Sequence, residues 1–416
     1  MKQPSRSRLR RACVAAAAVS VLTAPVLAGA AYGAPPTVAA AAPSPSPDGT
    51  GTGTGTGVFR ELTPAVAAQL DAAIRRTMTE TRTPGVIVGV WTPDKGSYVK
   101  AFGVADKATG APMSTGLYMR IGSETKTFTV TALLRLVDQG KLKLDDTIDR
   151  YVSGVPNGDR ITLRQLAGMR SGLYNYADDP AFNRWLDTLP TEPIPPQRLL
   201  EYAFAHPVQF EPGAKFEYSN TNIILLGLAM EKATGKPFAQ VLKEQVLRPA
   251  GLRHTSFPAT GTEFPKPHAQ GYTEQTTSGK TEDSTYITPS WGWSAGAIIS
   301  DLQDLRSWAR TLATGTLLTP ATQQARLEMQ PIGKPGASYG LGIFDVQGWI
   351  GHDGSIPGFE SLVVYLPQAR ATMVVLLNTD VLTAGREPTA FFGQAVTGIV
   401  SPAHEYPGHE SLLHPR

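Results

Sequence analysis

Strand patterns occupy the two ends of this 416-residue chain, and helix patterns fill the region between them. Near the start, apolar residues recur every four positions over 64–80, which predicts a helix, and two strands follow at 85–91 and 97–104. Near the end, the pattern predicts strands and a final helix at 339–344, 349–352, 360–365, 372–377 and 388–400. This order favours one antiparallel sheet that is built from both chain ends and covered by the terminal helices.

The central region predicts helices separated by loops rich in Pro and Gly, at 123–139, 162–169, 197–205, 220–234 and 237–248. The fold class is therefore α/β in the α+β sense, with one domain over 58–400. Its sheet part covers about 58–110 and 290–400, and an all-helical part at about 111–289 is inserted between them. A functional site is expected where the two parts meet.

The ends of the chain predict a secreted protein. Residues 1–30 carry five basic residues, an apolar run and a small-residue cleavage site, which is typical of a secretory signal peptide, and a retained membrane anchor is the weaker interpretation. Residues 31–57 are rich in Pro, Ala and Ser and then alternate Gly with Thr, which predicts a flexible linker. Residues 401–416 are expected to form a solvated tail without an apolar anchor.

Loss of the signal peptide would change the charge and remove the chain's one cysteine, Cys13. The formal charge of +3 includes five positive charges within residues 1–30, so the mature chain would carry 3 − 5 = −2. We therefore expect no binding to nucleic acid, no stable membrane insertion, and neither a disulfide nor a cysteine nucleophile. The expected location is the exterior of the cell envelope.

A hydroxyl and an amine lie one helical turn apart at the start of the strongest central helix. Ser123 and Lys126 are three residues apart, so they share a helix face at an N-terminus, where backbone N–H groups favour a developing anion. A free lysine titrates near ~10.4, so a base role for Lys126 requires burial or nearby positive charge. Because a Ser-x-x-Lys quartet also arises by chance, these two residues alone do not establish catalysis.

Two further short motifs occur later in the chain. Tyr218 and Asn220 precede a predicted helix, and His352 and Gly354 lie at the end of a predicted strand. Each motif alone is common in loops and turns. In the order Ser-x-x-Lys, Tyr-x-Asn, His-x-Gly, the three indicate nucleophilic catalysis.

With these motifs, the chain resembles the serine hydrolases of the penicillin-binding-protein and class C β-lactamase family, most closely the secreted D-alanyl-D-alanine carboxypeptidases. The likeness covers almost the whole mature chain. It includes residues 120–123 (RIGS), 140–146 (GKLKLDD), 171–173 (SGL), 218–222 (YSNTN) and 294–296 (SAG). The resemblance implies the β-lactamase/transpeptidase fold and a cofactor-free serine hydrolase that works through an acyl-enzyme.

The resemblance also implies a role for each motif residue. Ser123 would attack the carbonyl, Lys126 would accept its proton and Tyr218 would pass a proton to the leaving group. The other implied roles are an amide contact from Asn220, a hydrogen bond and partial positive charge from His352 toward Tyr218, room for the substrate backbone at Gly354, an oxyanion hole from the backbone N–H groups of Ser123 and Ser355, and a cleft wall from Trp291. Trp291 could equally belong to the core.

One departure from the family pattern concerns the substrate. Relatives usually carry Thr in the middle of His-x-Gly and a base on the neighbouring strand, whereas this chain has Asp353 and Asp345. If Asp353 faces the cleft, its charge disfavours a free carboxylate. The alternative is that it points away, because adjacent strand residues face opposite sides. Arg170 could compensate for the acid, although a structural surface arginine is the simpler interpretation.

Several functions therefore stay open. The leading activity is a D-alanyl-D-alanine carboxypeptidase, and the alternatives are a D-aminopeptidase or amidase, an esterase, a β-lactamase, or a penicillin-binding sensor without turnover. The ligands would be small peptides, amides or esters, with β-lactams as acylating ligands. A competing Gly-x-Ser-x-Gly motif around Ser294 lacks the preceding buried strand that a nucleophile elbow needs. His254 and His268 have no obvious ligand partners, so no metal is expected.

Overall fold

The structure is a computed structural model that describes residues 57–258 and 260–407. The predicted signal peptide, all of the predicted linker except Gly57, and residues 408–416 of the predicted tail lie outside the described residues. The described part of the chain forms one compact unit. Within that part, no helix combines the length and the apolar character needed to cross a membrane.

The helices of the described chain are α1 (Pro64–Thr81), α2 (Thr125–Asp138), α3 (Leu163–Ala167), α4 (Pro180–Leu186), α5 (Pro196–Phe204), α6 (Asn220–Thr234), α7 (Phe238–Leu242), α8 (Trp293–Gly296), α9 (Leu302–Thr314), α10 (Pro320–Arg326) and α11 (Pro388–Val400). The strands are β1 (Gly85–Thr92), β2 (Gly96–Gly103), β3 (Met119–Arg120), β4 (Tyr272–Thr273), β5 (Glu282–Asp283), β6 (Ile299–Ser300), β7 (Gln330–Pro331), β8 (Ala337–Tyr339), β9 (Phe344–Val346), β10 (Trp349–Ile356), β11 (Phe359–Leu366) and β12 (Ala371–Leu377).

The large sheet joins the two ends of the chain, as the sequence predicted. Its strand order is β2-β1-β12-β11-β10-β9-β8-β7, and neighbouring strands run antiparallel. The N-terminal hairpin meets the C-terminal strand in a register that pairs Val88 with Val375. Every residue of β1, β11 and β12 is buried, so both faces of the sheet are covered. Helices α9 and α11 contact the strands directly, and α1 packs on α11.

The central part of the chain is mostly helical and is organised around α2. This helix is buried from Thr125 to Leu134 and packs against α6, α7 and α8. Strands β3, β4 and β5 also fall within 111–289, so the inserted part is not entirely helical. These two-residue strands were missed because such short pairs show no alternation in the sequence.

The single strand predicted at 339–344 is wrong, because β8 ends at Tyr339, β9 begins at Phe344, and residues 340–343 form the turn between them. Gly342 has φ +64 there, and a methyl group at this position would lie 2.5 Å from Val130 of α2, so the chain must turn at a glycine. Sequence reasoning also missed α4, α9 and α10. In α9 the apolar residues Leu302, Leu305, Trp308 and Leu312 do follow helical spacing, and Asp301 caps the helix.

The segment 401–407 packs against the domain, which corrects the expectation of a tail without an apolar anchor. Tyr406 is only 2% exposed, and the Trp349 indole donates a hydrogen bond of 2.8 Å to the carbonyl of His404. A phenol ring has enough apolar area to hold a short segment on the core. The ordered part of the domain therefore continues past α11.

Candidate active site

Ser123 and Lys126 meet at the start of α2. Ser123 lies in a 3-10 turn, Gly122–Glu124, that leads directly into the helix. The ammonium nitrogen Nζ of Lys126 lies 2.7 Å from Ser123 Oγ and donates a second hydrogen bond of 2.9 Å to the carbonyl of Ala295. The hydroxyl and the amine are thus in direct contact, and the carbonyl of Ala295 in α8 anchors the amine by a second hydrogen bond.

Burial gives Lys126 the character of a base. Its side chain is completely buried, and this burial lowers its pKa well below the ordinary lysine value. The charge of Asp353 acts in the opposite direction, as the smaller effect. Desolvation disfavours a charged ammonium, so Lys126 can release its proton far more readily than a surface lysine.

Tyr218, from the helical part of the domain, lies beside Ser123 and Lys126. It lies two residues before α6 and is buried, with Lys126 Nζ 5.0 Å from the centre of its ring. Burial raises the pKa of Tyr218 well above its ordinary value, while a hydrogen bond with Ser123 acts to lower it. Tyr218 is therefore a protonated phenol beside the hydroxyl and the amine, in a position to carry a proton between them and a substrate.

Asn220 is oriented by a residue that sequence reasoning missed. The side-chain oxygen of Asn175 accepts hydrogen bonds from the backbone N–H of Asn220, at 3.0 Å, and from its amide nitrogen Nδ2, at 3.2 Å. Asn175 follows Ser171-Gly172-Leu173 closely, but nothing in its local sequence distinguishes it from a turn residue. Since this bond uses one N–H of Nδ2 and fixes the amide plane, the second N–H and the amide oxygen of Asn220 are available to a substrate amide.

Two glycines let the nucleophile turn cross β10 at very close range. A methyl group on Gly122, where φ is +49, would lie 2.8 Å from the backbone nitrogen of Ser355. One on Gly354 would lie 2.0 Å from the carbonyl oxygen of Ile121 and 2.8 Å from the backbone nitrogen of Ser123. The crossing therefore brings the amides of Ser123 and Ser355 together. It also corrects the role expected for Gly354, because the nucleophile turn fills the space expected for a substrate backbone.

His352 is fully buried and has hydrogen-bond partners other than the one expected. Its Nε2 lies 3.1 Å from the hydroxyl of Tyr339, and its Nδ1 lies 2.6 Å from the carbonyl oxygen of Asp353. Tyr218 contacts the ring by packing, with the two centroids 6.1 Å apart. The prediction that His352 directs a hydrogen bond toward Tyr218 is therefore wrong, since both ring nitrogens are committed elsewhere.

Asp353 faces away from Ser123. Gly354 pairs with Ser361, whose hydroxyl donates to the carbonyl of Ile121, so these two residues face the nucleophile turn. Asp353 pairs with Leu362, whose side chain lies against α11 on the opposite face. Because adjacent strand residues alternate, the interpretation that puts the Asp353 carboxylate in the cleft is wrong. Its carboxylate oxygen Oδ1 lies 3.4 Å from Nδ1 of His352, and its negative charge acts on Lys126 from outside the cavity lining.

A cavity of about 630 Å³ opens at Ser123. Its wall includes Tyr218, Asn220, Trp291 and Ser355, so most of the predicted site residues share one space. The described residues lining it also include four acids and one base, namely Asp178, Asp187, Glu217, Glu387 and Lys334. Neither His352 nor Asp353 is among these described lining residues.

Trp291 lines the cavity and is at the same time partly buried against the core, so the two interpretations of this residue are compatible. It ends a 3-10 turn, Pro289–Trp291, and its carbonyl accepts a hydrogen bond of 2.7 Å from the hydroxyl of Tyr176. Arg120 supports the preceding segment by donating to the carbonyls of Thr285 and Ile287, and burial lowers its pKa to about 10. Both contacts hold the segment that carries the aromatic wall.

The competing serine is part of the core. Ser294 is completely buried within α8, and its hydroxyl donates a hydrogen bond of 2.9 Å to the carbonyl of Ile223. No strand of the described chain leads directly into it. Ser294 therefore supports the helix that accepts the Lys126 hydrogen bond, and it has no access to a substrate.

The other polar candidates have structural contacts. Arg170 donates to the carbonyl of Pro331, and Asp345 accepts from the backbone N–H of Gly348. His254 does gain carboxylate partners that the sequence did not indicate, since Asp301 and Asp304 lie within reach of a shared ion. Both carboxylates already accept hydrogen bonds at the start of α9, from Gln303 and Thr255 among others, which explains their position without a metal.

Comparisons with known proteins show what the chain is similar to. The family model described as Beta-lactamase matches residues 70–396. A D-stereospecific amidohydrolase from a Streptomyces species is similar in structure, with a TM-score of 0.69 and 30% identity, over 76% of this chain and 94% of that one. The D-amino acid amidase of Ochrobactrum anthropi SV3 gives a TM-score of 0.69 and 26% identity, over 80% of this chain and 98% of that one.

Among curated proteins, PbpX of Bacillus subtilis, named as a candidate penicillin-binding protein, is 26% identical over 286 residues. The match covers 67% of this chain and 66% of PbpX, so the chain spans just under two thirds of that relative.

Proposed function

The chain belongs to the Beta-lactamase family, a family of serine hydrolases, and from this premise we propose that it hydrolyses amide bonds through an acyl-enzyme on Ser123. The observation that carries the proposal is the 2.7 Å contact between Ser123 Oγ and a completely buried Lys126 amine. A buried amine beside a hydroxyl is a sufficient base for acyl transfer. The predicted signal peptide makes export to the exterior of the cell envelope part of this proposal.

The reaction is derived from the positions of the groups. Ser123 Oγ attacks the substrate carbonyl carbon while its proton passes to the deprotonated amine of Lys126. The carbonyl oxygen becomes negative and is stabilised by the backbone N–H groups of Ser123 and Ser355, each worth about 2.7–4 kcal/mol in comparable sites. The C–N bond then breaks, and the departing amine takes a proton by way of Tyr218. Water then attacks the carbonyl carbon of this ester and gives up a proton to the same Lys126–Tyr218 pair. The bond from that carbon to Ser123 Oγ breaks as Oγ takes a proton back, which releases the acid and restores Ser123.

The substrate we propose is an amide or peptide of a D-amino acid that carries a protonated amine. The described residues lining the cavity include four acids and one base, and although Glu217 is paired with Lys215 at 2.7 Å, the balance stays negative, so a cation fits this space better than an anion. The similarity to a D-stereospecific amidohydrolase and to a D-amino acid amidase supports the same class. The preference for an amine therefore depends on the acids that line the cavity, and Asp353 has no part in it.

A D-alanyl-D-alanine carboxypeptidase is the second candidate, and Lys334 is the observation that favours it. Lys334 lines the cavity and provides a positive charge for the free carboxylate of a leaving D-alanine. This base comes from the β7–β8 connection and not from the strand position where Asp345 lies. Esterase, β-lactamase and penicillin-binding sensor functions use the same acylation step and differ in the fate of the acyl-enzyme.

An acylation assay tests the proposal. The chain from residue 58 onward is incubated with a penicillin, D-amino acid amides, D-alanyl-D-alanine peptides and short-chain esters, and adducts and products are followed by mass spectrometry. We expect an adduct on Ser123 and turnover of the amides ahead of the peptides. Ser123→Ala should abolish both, whereas the matched core variant Ser294→Ala should still be acylated. An adduct on Ser294 would overturn the mechanism, and a stable adduct without turnover of any substrate would indicate a sensor.

A further inference from the structure

The imidazole of His352 is enclosed by three aromatic side chains. Tyr339 approaches it edge-on, with centroids 5.9 Å apart and an angle of 88°. Phe344 lies at 5.4 Å and Tyr218 at 6.1 Å. This enclosure leaves little room for the ring to rotate. The two ring nitrogens therefore keep fixed hydrogen-bond partners.

Those hydrogen bonds fix where the ring carries its proton. Nδ1 lies 2.6 Å from the carbonyl oxygen of Asp353 and 3.4 Å from the carboxylate oxygen Oδ1 of the same residue, and since both can only accept, Nδ1 must carry a hydrogen. In the neutral ring Nε2 is then an acceptor, and the hydroxyl of Tyr339 is its donor at 3.1 Å. The lone pair of Nε2 is thereby directed at Tyr339 and away from Tyr218.

Tyr339 also contacts the segment that carries Tyr218. Its ring packs against Phe216, with centroids 5.3 Å apart, and Phe216 is two residues before Tyr218 and lines the cavity. Both Tyr339 and His352 are buried, so no water competes for their hydrogen bond. One side chain from β8 therefore touches both the histidine and the proton-carrying loop.

We propose that Tyr339 is a positioning residue for acyl transfer, which holds His352 by its Nε2 atom so that the imidazole supports Tyr218 by packing and does not exchange protons with it. The inference rests on the proposed function of the Ser123, Lys126 and Tyr218 site. It assigns to β8 a role that none of the three sequence motifs contains.

Nitrogen NMR of the full chain labelled with ¹⁵N-histidine tests the hydrogen bonds without any need for turnover. The chain has seven histidines, and His352→Gln identifies the signals that belong to His352. We expect a hydrogen on Nδ1 and a hydrogen-bonded acceptor at Nε2. Tyr339→Phe should move only the Nε2 signal, toward that of an acceptor without a donor. A hydrogen on Nε2, or an Nε2 signal that does not move, would overturn the proposal even if the protein proves to be an active amidase.

Kinetics test the positioning role. Tyr339→Phe removes one hydroxyl and should lower kcat about 10-fold, the upper range for one hydrogen bond, with KM nearly unchanged. The loss should disappear when His352 is also replaced by Gln. Tyr406→Phe is the matched control, because Tyr406 is another buried tyrosine in the same aromatic group, 6.5 Å from Phe344. An equal loss in Tyr406→Phe, or the same loss with and without His352, would show that Tyr339 does not act through His352.

Discussion

Gly354→Ala should inactivate the enzyme by moving its nucleophile. The added methyl group would lie 2.0 Å from the carbonyl oxygen of Ile121, whereas carbon and oxygen in contact need about 3.3 Å, so the turn must move by about 1 Å. The turn carries Ser123, and a displacement of about 1 Å at a reacting group is associated with a loss of about 100-fold. The same overlap should cost about 1–3 kcal/mol of stability.

Gly351→Ala provides the control, because it places the same overlap elsewhere on β10. Its methyl group would lie 2.0 Å from the carbonyl oxygen of Val363 in β11, three residues before Gly354 on β10 and so about 10 Å along the strand from it. The assay measures the acylation rate of both variants with one penicillin, and their melting temperatures, at a temperature where both are folded. We expect similar losses of stability and a loss of rate in Gly354→Ala alone. Normal acylation by Gly354→Ala, or equal loss in Gly351→Ala, would refute the reasoning.

Two further predictions concern the titration of buried groups. Burial lowers the pKa of Lys126, so kcat/KM of the native enzyme should rise with pH through a midpoint below 10.5. Lys126→Arg should lose at least about 100-fold in kcat/KM at every pH, because a guanidinium does not release its proton. A pH-rate profile checks this, and near-native rates in Lys126→Arg would contradict it. Burial, reinforced by Glu387, raises the pKa of Glu360 well above 4.5, so its contribution to stability is complete below pH 4.5 and is lost as the pH rises through the higher value. A glutamine at position 360 cannot ionise, so the free energy of unfolding of Glu360→Gln, measured in urea, should increase relative to that of the native protein between pH 5 and 8. The increase should be at most about 1.4 kcal/mol per pH unit. A difference that stays constant with pH would disprove the raised pKa of Glu360.

Local sequence patterns predicted the elements on which the site is built. The helical spacing after Ser123 gave α2, and the apolar runs near both ends gave β1, β11 and β12 with nearly correct limits. Such patterns are reliable because a buried strand or helix face needs apolar residues at a fixed period. The hairpin turn and the terminal helices could be predicted from the same rules. The site's nucleophile and base could be proposed because both lie on one helical turn.

Long-range placement could not be predicted in the same way. Strand alternation shows that His352 and Asp353 face opposite sides, but not which side faces α2, since this depends on how the sheet packs. Tyr339 and Asn175 are likewise invisible as partners, because their contacts join segments far apart in the chain. The predicted strand at 339–344 failed for a related reason, as a tight turn between two short strands has the same apolar composition as one strand.

The activation of Lys126 depends on both parts of the domain. The helix α2 provides the hydroxyl and the amine, but the burial that lowers the lysine pKa comes from Tyr218 and α8, which are distant in sequence. The carbonyl of Ala295 accepts one N–H in either protonation state, so losing a proton leaves the amine anchored and able to accept the proton of Ser123. No neighbouring cation is then needed, because desolvation alone disfavours the charged form. Water entering between α2 and α8 would restore the ordinary lysine pKa, so catalysis requires that this packing stay closed.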